Sequence, residues 1–292
     1  MALTGEEAAV SSAIAAATLS LPVGLISLKR RLVSKSGLVA SILVAIISGL
    51  TGLQSFLYVL MFYLSSSLLT RLKYSEKSKK GAAENPRGRD WRQVLGAGGV
   101  GTFFFAASFV SSLLGDLKFS AAFLVAALTS FAVSNADTWA SEIGSLSKTP
   151  PRLIVKPWVK VPPGTSGGIT MLGELASITG AALMSLTLWA LSLHLILAVP
   201  PWAFISSSAY NVPAIIFLVG WLGEILDSII GALFQAKYYC PRCKVVTDKK
   251  LHKCGATTVF YGGFRWLGNE TTNIISTFTA ALCACLLYLM YF

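Results

Sequence analysis

The sequence predicts an all-α fold: a polytopic helical membrane protein with about eight transmembrane helices and a small cytosolic metal-binding loop. Of its 292 residues, 54% are hydrophobic and 13% are charged, and its mean hydropathy is +0.67. A chain with these values is too apolar to be a soluble globular domain. Apolar runs of about 20 residues recur along the chain. The alternating pattern of barrel strands is missing, so helices are the predicted spanning form.

The apolar runs predict eight membrane crossings. The run from 37 to 69 is too long for one helix, and Gly49, Thr51 and Gly52 mark a tight turn inside it. We therefore divide this run into a hairpin of two crossings. The predicted crossings are residues 8–28, 37–53, 54–71, 94–115, 118–136, 170–192, 212–235 and 270–291.

The net charge of +11 lies almost wholly in the loops, so it indicates orientation rather than a nucleic-acid interface. Basic loops follow the first, third, fifth and seventh crossings. With eight crossings all four loops lie on one face, which the positive-inside rule makes cytoplasmic, with both termini outside. The segment 195–210 is apolar but is broken by Pro200 and Pro201, and we interpret it as an interfacial segment on the outer side.

Two regions follow from this pattern. Residues 1–93 hold the N-terminal transmembrane hairpins and a basic cytosolic loop, and the polar part of that loop, 73–92, is predicted to be flexible and without chemistry. Residues 94–292 form the core membrane domain, with 237–256 as a cytosolic insertion. Because the N-terminus lacks the features of a targeting segment, we expect a prokaryotic or archaeal cell membrane, with a eukaryotic internal membrane as the alternative.

The first candidate site follows the fifth apolar run, in the sequence SNADTWASEIG. Asp137 and Glu142 lie at the membrane edge, where ionisable groups are functional by default; a structural carboxylate held by an arginine is the alternative. Asp137 and Ser141 share a helix face, whereas Glu142 is about 140° away from Asp137. Both acids reach one site only if the helix ends or bends there, and Gly144 is consistent with such an ending.

A glycine-rich turn, GTSGG, follows a basic and proline-rich loop. Glycine lets the backbone approach a ligand closely, and successive amides before a helix form an anion cradle. Short glycine-rich turns also occur without any ligand, so the neighbouring lysines and the acid in the next helix matter here. The predicted phosphate-binding set is Lys156, Lys160, Gly164, Thr165, Ser166, Gly167, Gly168 and Glu174.

The seventh apolar run contains a polar stripe of residues at helical spacing. Glu224, Asp227 and Ser228 follow i, i+3 and i+4, and Gly231 and Gln235 extend the same face. A structural polar seam is one interpretation. The other is a cation site, because two acids one turn apart repel each other unless a cation or a shared proton lies between them.

The last crossing begins with LGNETTN, in which Asn269 and Asn273 are neighbours on one helix face. Asn side chains serve Mg²⁺, ribose or phosphate, and capping of the helix by Asn269 is the alternative. The candidate carboxylates and amides all belong to the cytoplasmic half. Hard oxygen ligands with few nitrogens or sulfurs favour Mg²⁺ over zinc in this site.

The loop CPRCKVVTDKKLHKC contains a second candidate site, with ligands of a different chemical type from those of the carboxylate site. Cys240 and Cys243 form a CxxC pair, and His252 with Cys254 completes a possible Cys₃His zinc knuckle that would fold a loop too small for its own core. Free thiols or a redox pair are the alternatives. With four protein ligands no coordination position stays open, so zinc here would be structural.

The sequence gives no support for two common nucleotide-binding motifs. Gly96, Gly98 and Gly101 match GxGxxG, but they open an apolar helix without a preceding strand, so close helix packing explains them better. No GxxxxGK[ST] phosphate loop is present in the sequence.

The motifs resemble the transmembrane protein 19 family (domain of unknown function 92), which includes the plant phytyl-phosphate kinase. The matching segments are SNADTWASEIG, VPPGTSGGIT with Gly173, GEILDSIIGALFQ and NETTN, and they cover roughly residues 94–292. Glu224 stands where a small or apolar residue is expected in the family.

The resemblance implies transfer of a phosphoryl group from a nucleoside triphosphate, with CTP as the expected donor, to an isoprenoid monophosphate such as phytyl or geranylgeranyl phosphate. Under this hypothesis the glycine-rich turn and its lysines bind phosphates, with Ser228 beside them, and Asn269 and Asn273 orient the nucleotide. Mg²⁺ is held by Asp137, Glu142 and Asp227. Phosphoryl transfer needs mainly positioning, divalent cations and positive groups, so the residues are compatible with it.

Two other classes of function stay open from the sequence. A proton- or cation-coupled transporter would use the same intramembrane acids, and a noncatalytic membrane protein would use only the cysteine loop. An acidic stripe that continues across the bilayer favours transport. Acids confined to the cytoplasmic half favour a kinase.

Overall fold

The computed structural model describes residues 5–83, 87–193, 200–206, 211–252 and 254–292. Parts of the segment 195–210 and of the loop 73–92 therefore lie outside the described residues. Ten helices are present in the described part: α1 Gly5–Lys29, α2 Lys35–Gly49, α3 Leu53–Arg71, α4 Tyr74–Lys80, α5 Trp91–Leu113, α6 Leu117–Gly144, α7 Met171–Leu193, α8 Pro200–Ser206, α9 Asn211–Phe234 and α10 Asn269–Tyr291.

Seven of these helices are long and apolar enough to cross a membrane: α1, α3, α5, α6, α7, α9 and α10. The predicted polytopic helical fold is therefore confirmed. The predicted crossing 37–53 corresponds to α2, which has 15 residues and so extends about 22 Å, less than the roughly 30 Å of a bilayer core. Beyond α2 the chain turns at Gly52, where Trp202 of α8 is buried and donates a hydrogen bond to Ser55 at 3.0 Å.

Helix α6 is the centre of the bundle, and α3, α5, α7, α9 and α10 all pack against it. Most of its length is buried, and small residues such as Ala126 and Ala132 let neighbouring backbones approach closely. Gly101 of α5 faces Phe131, and a Cβ atom at Gly101 would collide with that ring. Packing against α6 thus explains Gly101, the last glycine of the GxGxxG match.

Two small antiparallel sheets lie in the loops, and the sequence pattern did not predict them. The first has the order β2-β1-β3 and the second the order β5-β4-β6. Their strands are β1 Arg152–Leu153, β2 Lys156–Lys160, β3 Gly168–Ile169, β4 Lys237–Cys240, β5 Val245–Thr247 and β6 Val259–Gly262. The first sheet carries the glycine-rich turn, and the second carries the cysteine loop.

The basic loops meet at one end of the bundle, which we call the basic end. Val33 pairs with Arg89 as an isolated bridge. Lys80 Nζ donates to the carbonyl of Ser145 at 2.8 Å, and Lys249 Nζ donates to the carbonyl of Gly81 at 3.1 Å. These contacts connect the loops after α1, α3, α6 and α9.

The polar loop after α3 differs from its prediction. Instead of being flexible throughout, it contains helix α4, on which Lys77 is fully buried. The Lys77 ammonium group forms an ion pair with Glu142 and donates to the carbonyls of Leu69 and Thr70 at 2.8 and 2.9 Å. These contacts supply the polar partners that a buried cation needs.

Candidate functional site

A cavity of about 180 Å³ lies at the basic end, between α6, α7, α9 and the glycine-rich turn, residues 164–168. Carboxylates from four parts of the chain line this cavity, which we call the acidic cavity. No lysine or arginine is among the described residues that line it. The five carboxylates are Asp137, Glu174, Glu224, Asp227 and Asp248.

Close approach of α6 and α7 brings Asp137 and Glu174 to the same cavity. A Cβ atom at Gly173 would lie 2.9 Å from the carbonyl oxygen of Ala140, so only glycine permits this spacing. Deeper in the bundle, Asn135 Nδ2 donates to the carbonyl of Gly180 at 2.9 Å, which joins the same two helices. These contacts therefore fix the position of α6 relative to α7 at the site.

The glycine-rich turn packs directly on α9. Gly167 has φ +71°, a left-handed conformation that favours glycine. A Cβ atom there would lie 2.6 Å from the carbonyl oxygen of Ser228 and would collide with Ala232. The carbonyl of Gly167 accepts a hydrogen bond from the Ile154 amide at 2.9 Å, which connects the turn to the first sheet.

Hydroxyl groups hold the two acids of α9. Ser276 donates to Asp227 at 2.7 Å, and Ser177 donates to Glu224 at 2.9 Å. Ser228 donates to the other oxygen of Glu224 at 3.3 Å. Each acid thus has a fixed orientation, and helices α7, α9 and α10 are joined through side chains at the cavity.

The carboxylates act on one another electrostatically. Asp137, Glu174, Glu224 and Asp227 line the same cavity, and like charges so gathered repel one another. A concentration of negative charge away from bulk water is stabilised when a divalent cation lies between the carboxylates. Carboxylate oxygens are the ligand type that hard divalent cations prefer.

Asp248 lines the cavity although the sequence analysis did not assign it to a site, and Gln235, named there only as part of the polar stripe, contacts the glycine-rich turn. The Ser166 amide donates to Asp248 at 2.6 Å, and the Ser166 hydroxyl donates to Gln235 at 2.7 Å. Burial raises the pKa of the Asp248 carboxyl, although the Ser166 hydrogen bond and the charges of Lys237 and Lys249 act in the opposite direction. Asp248 lies in a basic loop far along the chain, where no helical spacing connects it to the turn.

The cavity brings together most of the predicted substrate and metal residues. Asn269 is the first residue of α10, with Gly268 as the N-cap, so its predicted alternative role as the cap is not observed. The predicted residues that line the cavity are Asp137, Gly164, Thr165, Ser166, Gly167, Gly168, Glu174, Asp227, Ser228 and Asn269.

Four predicted residues lie elsewhere. Glu142 is not beside Asp137, because α6 continues as a helix to Gly144 and directs Glu142 toward Lys77. Lys156 and Lys160 are exposed on β2 and do not line the cavity. Asn273 is half-buried one turn further along α10, and its Oδ1 atom has no hydrogen-bond partner among the described residues.

The amides of the glycine-rich turn make internal contacts in this structure. The Thr165 amide donates to the Pro162 carbonyl at 3.2 Å, and the Gly168 amide donates to the Thr165 carbonyl at 3.0 Å. The Ser166 amide is directed at a carboxylate, that of Asp248. The turn thus holds an anionic group at Ser166, which is the behaviour expected of an anion-binding backbone.

The cysteine loop forms a compact ligand set, here called the Cys/His cluster: Cys240, Cys243, His252 and Cys254. One ligand atom from each residue lies within 4.8 Å of the others. The sulfurs of Cys240 and Cys254 are 3.6 Å apart, close to the roughly 3.8 Å between two sulfurs of a tetrahedral zinc site. Hydrogen bonding to His252 lowers the pKa of Cys254 to about 6, which favours the thiolate that binds metal. The cluster is compatible with Zn²⁺.

A second cavity of about 90 Å³ lies among α1, α2, α3 and α5. Apolar side chains dominate its lining, and we call it the apolar cavity. Arg89 lines one part of it and donates to Thr70 Oγ1 at 3.5 Å. The charge of Arg89 also interacts with that of Asp137 in the acidic cavity. Arg89 therefore lines the apolar cavity and is near enough to Asp137 for their charges to interact.

The comparisons with known proteins agree with this architecture. The family described as Integral membrane protein DUF92 matches residues 18–281. The chain belongs to this family. The DUF92 resemblance found in the sequence motifs is therefore confirmed. No solved structure matches the chain.

Three relatives illustrate the spread of the DUF92 family. Protein PGR of Arabidopsis thaliana is 31% identical over 265 residues, covering 86% of this chain and 87% of the relative. Protein VTE6, chloroplastic, of the same plant is 28% identical over 258 residues, covering 87% of this chain but 65% of the relative's length. The uncharacterized membrane protein MJ0933 of Methanocaldococcus jannaschii is 28% identical over 210 residues, covering 72% and 77%.

Proposed function

We propose that this DUF92 protein is a membrane-embedded isoprenoid monophosphate kinase, which uses a nucleoside triphosphate, CTP in our hypothesis, to make the isoprenoid diphosphate. The observation that supports this most is the acidic cavity, where carboxylates and a glycine-rich turn meet at one end of an apolar bundle. Acids gathered at one end favour a kinase over a transporter, whose ionisable groups would continue across the bilayer.

The proposed reaction is a direct phosphoryl transfer. An oxygen of the acceptor monophosphate attacks the γ-phosphorus of the donor, and the bond between that phosphorus and the β–γ bridging oxygen breaks. The products are the isoprenoid diphosphate and a nucleoside diphosphate. Such transfer depends mainly on positioning and on neutralising charge. When bound, Mg²⁺ supplies the charge neutralisation that the phosphate oxygens require.

The residues of the acidic cavity have different roles in the proposed reaction. Asp137 and Asp227 are the proposed Mg²⁺ ligands, with Ser276 orienting Asp227. The glycine-rich turn and Ser228 bind phosphate oxygens, and Asn269 faces the nucleotide. Glu142 leaves the ligand set because its carboxylate pairs with Lys77. Lys156 and Lys160 act only at longer range, as exposed charges at the basic end.

The apolar cavity, with a volume of about 90 Å³, is the proposed position of the part of the isoprenoid chain that adjoins the head group. Its walls are apolar side chains, including Val23, Leu38 and Phe56, which match a branched hydrocarbon. Arg89, which lines the apolar cavity, matches the monophosphate head group, since a guanidinium binds phosphate through a planar fork. The lipid head would then lie close to Asp137 and the metal.

The Cys/His cluster is the proposed site of a structural Zn²⁺ ion. Three thiols and one imidazole are a closed tetrahedral ligand set. We place the basic end on the side of the membrane that holds the nucleotide, which is the cytoplasm in a cell membrane.

A product assay tests the proposed function. Purified protein in detergent is incubated with geranylgeranyl or phytyl monophosphate, Mg²⁺ and each γ-labelled nucleoside triphosphate in turn. We expect labelled isoprenoid diphosphate with one preferred donor. Folded protein that yields no product with any donor would overturn the proposal, and cation flux in proteoliposomes would then support the transporter.

A further inference from the structure

The Cys/His cluster encloses the segment that supplies Asp248 to the acidic cavity. Cys240 and Cys243 precede Asp248, and His252 and Cys254 follow it. Any ion bound by all four residues closes this segment into a short loop. Loop closure reduces the number of conformations available to the enclosed residues.

Backbone contacts already fold the segment back on itself. β4 pairs with both β5 and β6, and the Thr258 amide donates to the Lys250 carbonyl at 3.0 Å. At the far side of the segment, Asp248 accepts a hydrogen bond from the Ser166 amide. Lys249 reaches the carbonyl of Gly81. The segment therefore connects the Cys/His cluster with the glycine-rich turn.

This segment is too small to hold its shape by burial alone. Residues 245–248 are half-buried, whereas Lys249, Lys250 and Leu251 are exposed. Loops of this kind fold when a metal supplies the missing stabilisation. The position of Asp248 should then depend on the metal rather than on a hydrophobic core.

We propose that zinc in the Cys/His cluster fixes the segment 244–251 and holds Asp248 against Ser166, which makes Asp248 a positioning residue for the glycine-rich turn. The inference rests on the zinc ion of the proposed function, but not on the kinase activity. Its ligand is a borderline-soft divalent metal bound by thiolates and an imidazole. Metal occupancy thereby controls the order of the phosphate-binding turn from outside the acidic cavity.

The test compares metal content with amide hydrogen exchange in the full-length protein in detergent. Metal analysis should find close to one zinc ion per chain, and Cys254→Ser should lose it. Peptides covering 163–170 should exchange about tenfold faster in Cys254→Ser and in chelator-treated protein, while peptides from α6 stay unchanged. Returning zinc to the chelated protein should restore slow exchange.

Variants of Asp248 distinguish the effect of its hydrogen bond with Ser166 from the effect of the bound metal. Asp248→Ala should retain zinc yet show the same fast exchange at 163–170, whereas Asp248→Asn keeps an acceptor oxygen and should retain protection. Lys250→Ala removes an exposed charge from the same segment and should change neither measurement. Protein without zinc would overturn the metal site itself. If the wild type contains zinc but the turn exchanges equally slowly in Cys254→Ser or in Asp248→Ala, the positioning role is overturned.

Discussion

At the scale of single residues, Asp227 carries the largest part of the proposed metal site. Its carboxylate accepts a hydrogen bond from Ser276, and Asp227 lines the acidic cavity together with Asp137 and with Glu224, one turn away on α9. These neighbours bear the same charge, so the arrangement needs a cation to be most stable. The side chain is thus held in place for a ligand rather than paired within the protein.

Replacing Asp227 by Asn should therefore remove most activity while keeping the fold. The amide preserves the shape and one acceptor oxygen but removes the charge that binds the metal. We expect kcat to fall about a hundredfold, with a higher Mg²⁺ concentration needed for half-maximal rate. Steady-state assays over a range of Mg²⁺ concentrations measure both effects.

Glu76→Gln is the matched control for Asp227→Asn. Glu76 is an exposed acid on α4, 3.7 Å from Lys73, and its neutralisation should leave kcat unchanged. Equal activity of Asp227→Asn and the wild type, in normally inserted protein, would remove Asp227 from the site.

Lys77 and Glu142 form a pair whose role is structural. Both side chains are buried, and the ammonium group also caps the end of α3 through two carbonyls. Lys77→Met should leave Glu142 buried without a partner and lower the free energy of unfolding by about 3 kcal/mol. Thermal unfolding in detergent measures this loss. The double variant with Glu142→Gln should recover part of it, and a double variant no more stable than Lys77→Met would contradict the pairing.

Helical spacing in the sequence indicated which residues share a face. Glu224, Asp227 and Ser228 lie at such spacing, and all three line the acidic cavity. Lys77 and Asp248 were missed because their partners, Glu142 and Ser166, are distant in the chain. Only folding of the loops brings them together.

At the scale of elements, the glycine-rich turn depends on its close contact with α9. Gly167→Ala adds a methyl group against Ala232 and the Ser228 carbonyl, at a left-handed residue. We expect a loss of about 1–2 kcal/mol from backbone strain, and an additional loss from displacement of the turn. The KM for the nucleotide should rise several-fold in steady-state assays.

Gly115→Ala is the control that measures the effect of backbone strain without displacement of the glycine-rich turn. Gly115 has φ +81° and no atom within 4 Å of an added Cβ, so this variant should lose stability without a change in KM. An equal KM for wild type and Gly167→Ala would show that the turn does not contact the nucleotide.

The apolar cavity is also a property of packed elements. Ala97 of α5 lines it, and Ala97→Leu would fill part of the space with hydrocarbon. The KM for geranylgeranyl monophosphate should rise several-fold while the KM for the nucleotide stays constant. Ala107→Leu, on the same helix but outside the cavity lining, should change neither KM. A nucleotide effect equal to the lipid effect would contradict the assignment of the chain to this cavity.

The sequence predicted the helices well because long apolar runs have few alternatives in a bilayer. It did not predict the two sheets, whose strands have two to five residues, too short for a period of two to be visible. The hairpin α2–α3 was predicted from its turn residues, but the sequence pattern did not show that α2 ends at Gly49 after only 15 residues.

At the scale of the whole molecule, the fold separates two environments. The apolar bundle offers a cavity among α1, α2, α3 and α5, and the basic end offers the acidic cavity beneath folded loops. A substrate with a hydrocarbon chain and a phosphate head matches both environments at once. This division follows from the sequence, since charged residues lie between the apolar runs and cannot enter the bilayer core without cost.

The central claim is that the γ-phosphoryl group of a nucleotide is transferred to a lipid monophosphate, and isotope transfer measures this directly. The donor carries ¹⁸O at the non-bridging oxygens of its γ-phosphate, and mass spectrometry follows the lipid product. The account predicts an isoprenoid diphosphate whose terminal phosphate retains the three labelled oxygens, formed by wild type and lost in Asp227→Asn. Labelled inorganic phosphate with unchanged lipid monophosphate would contradict it.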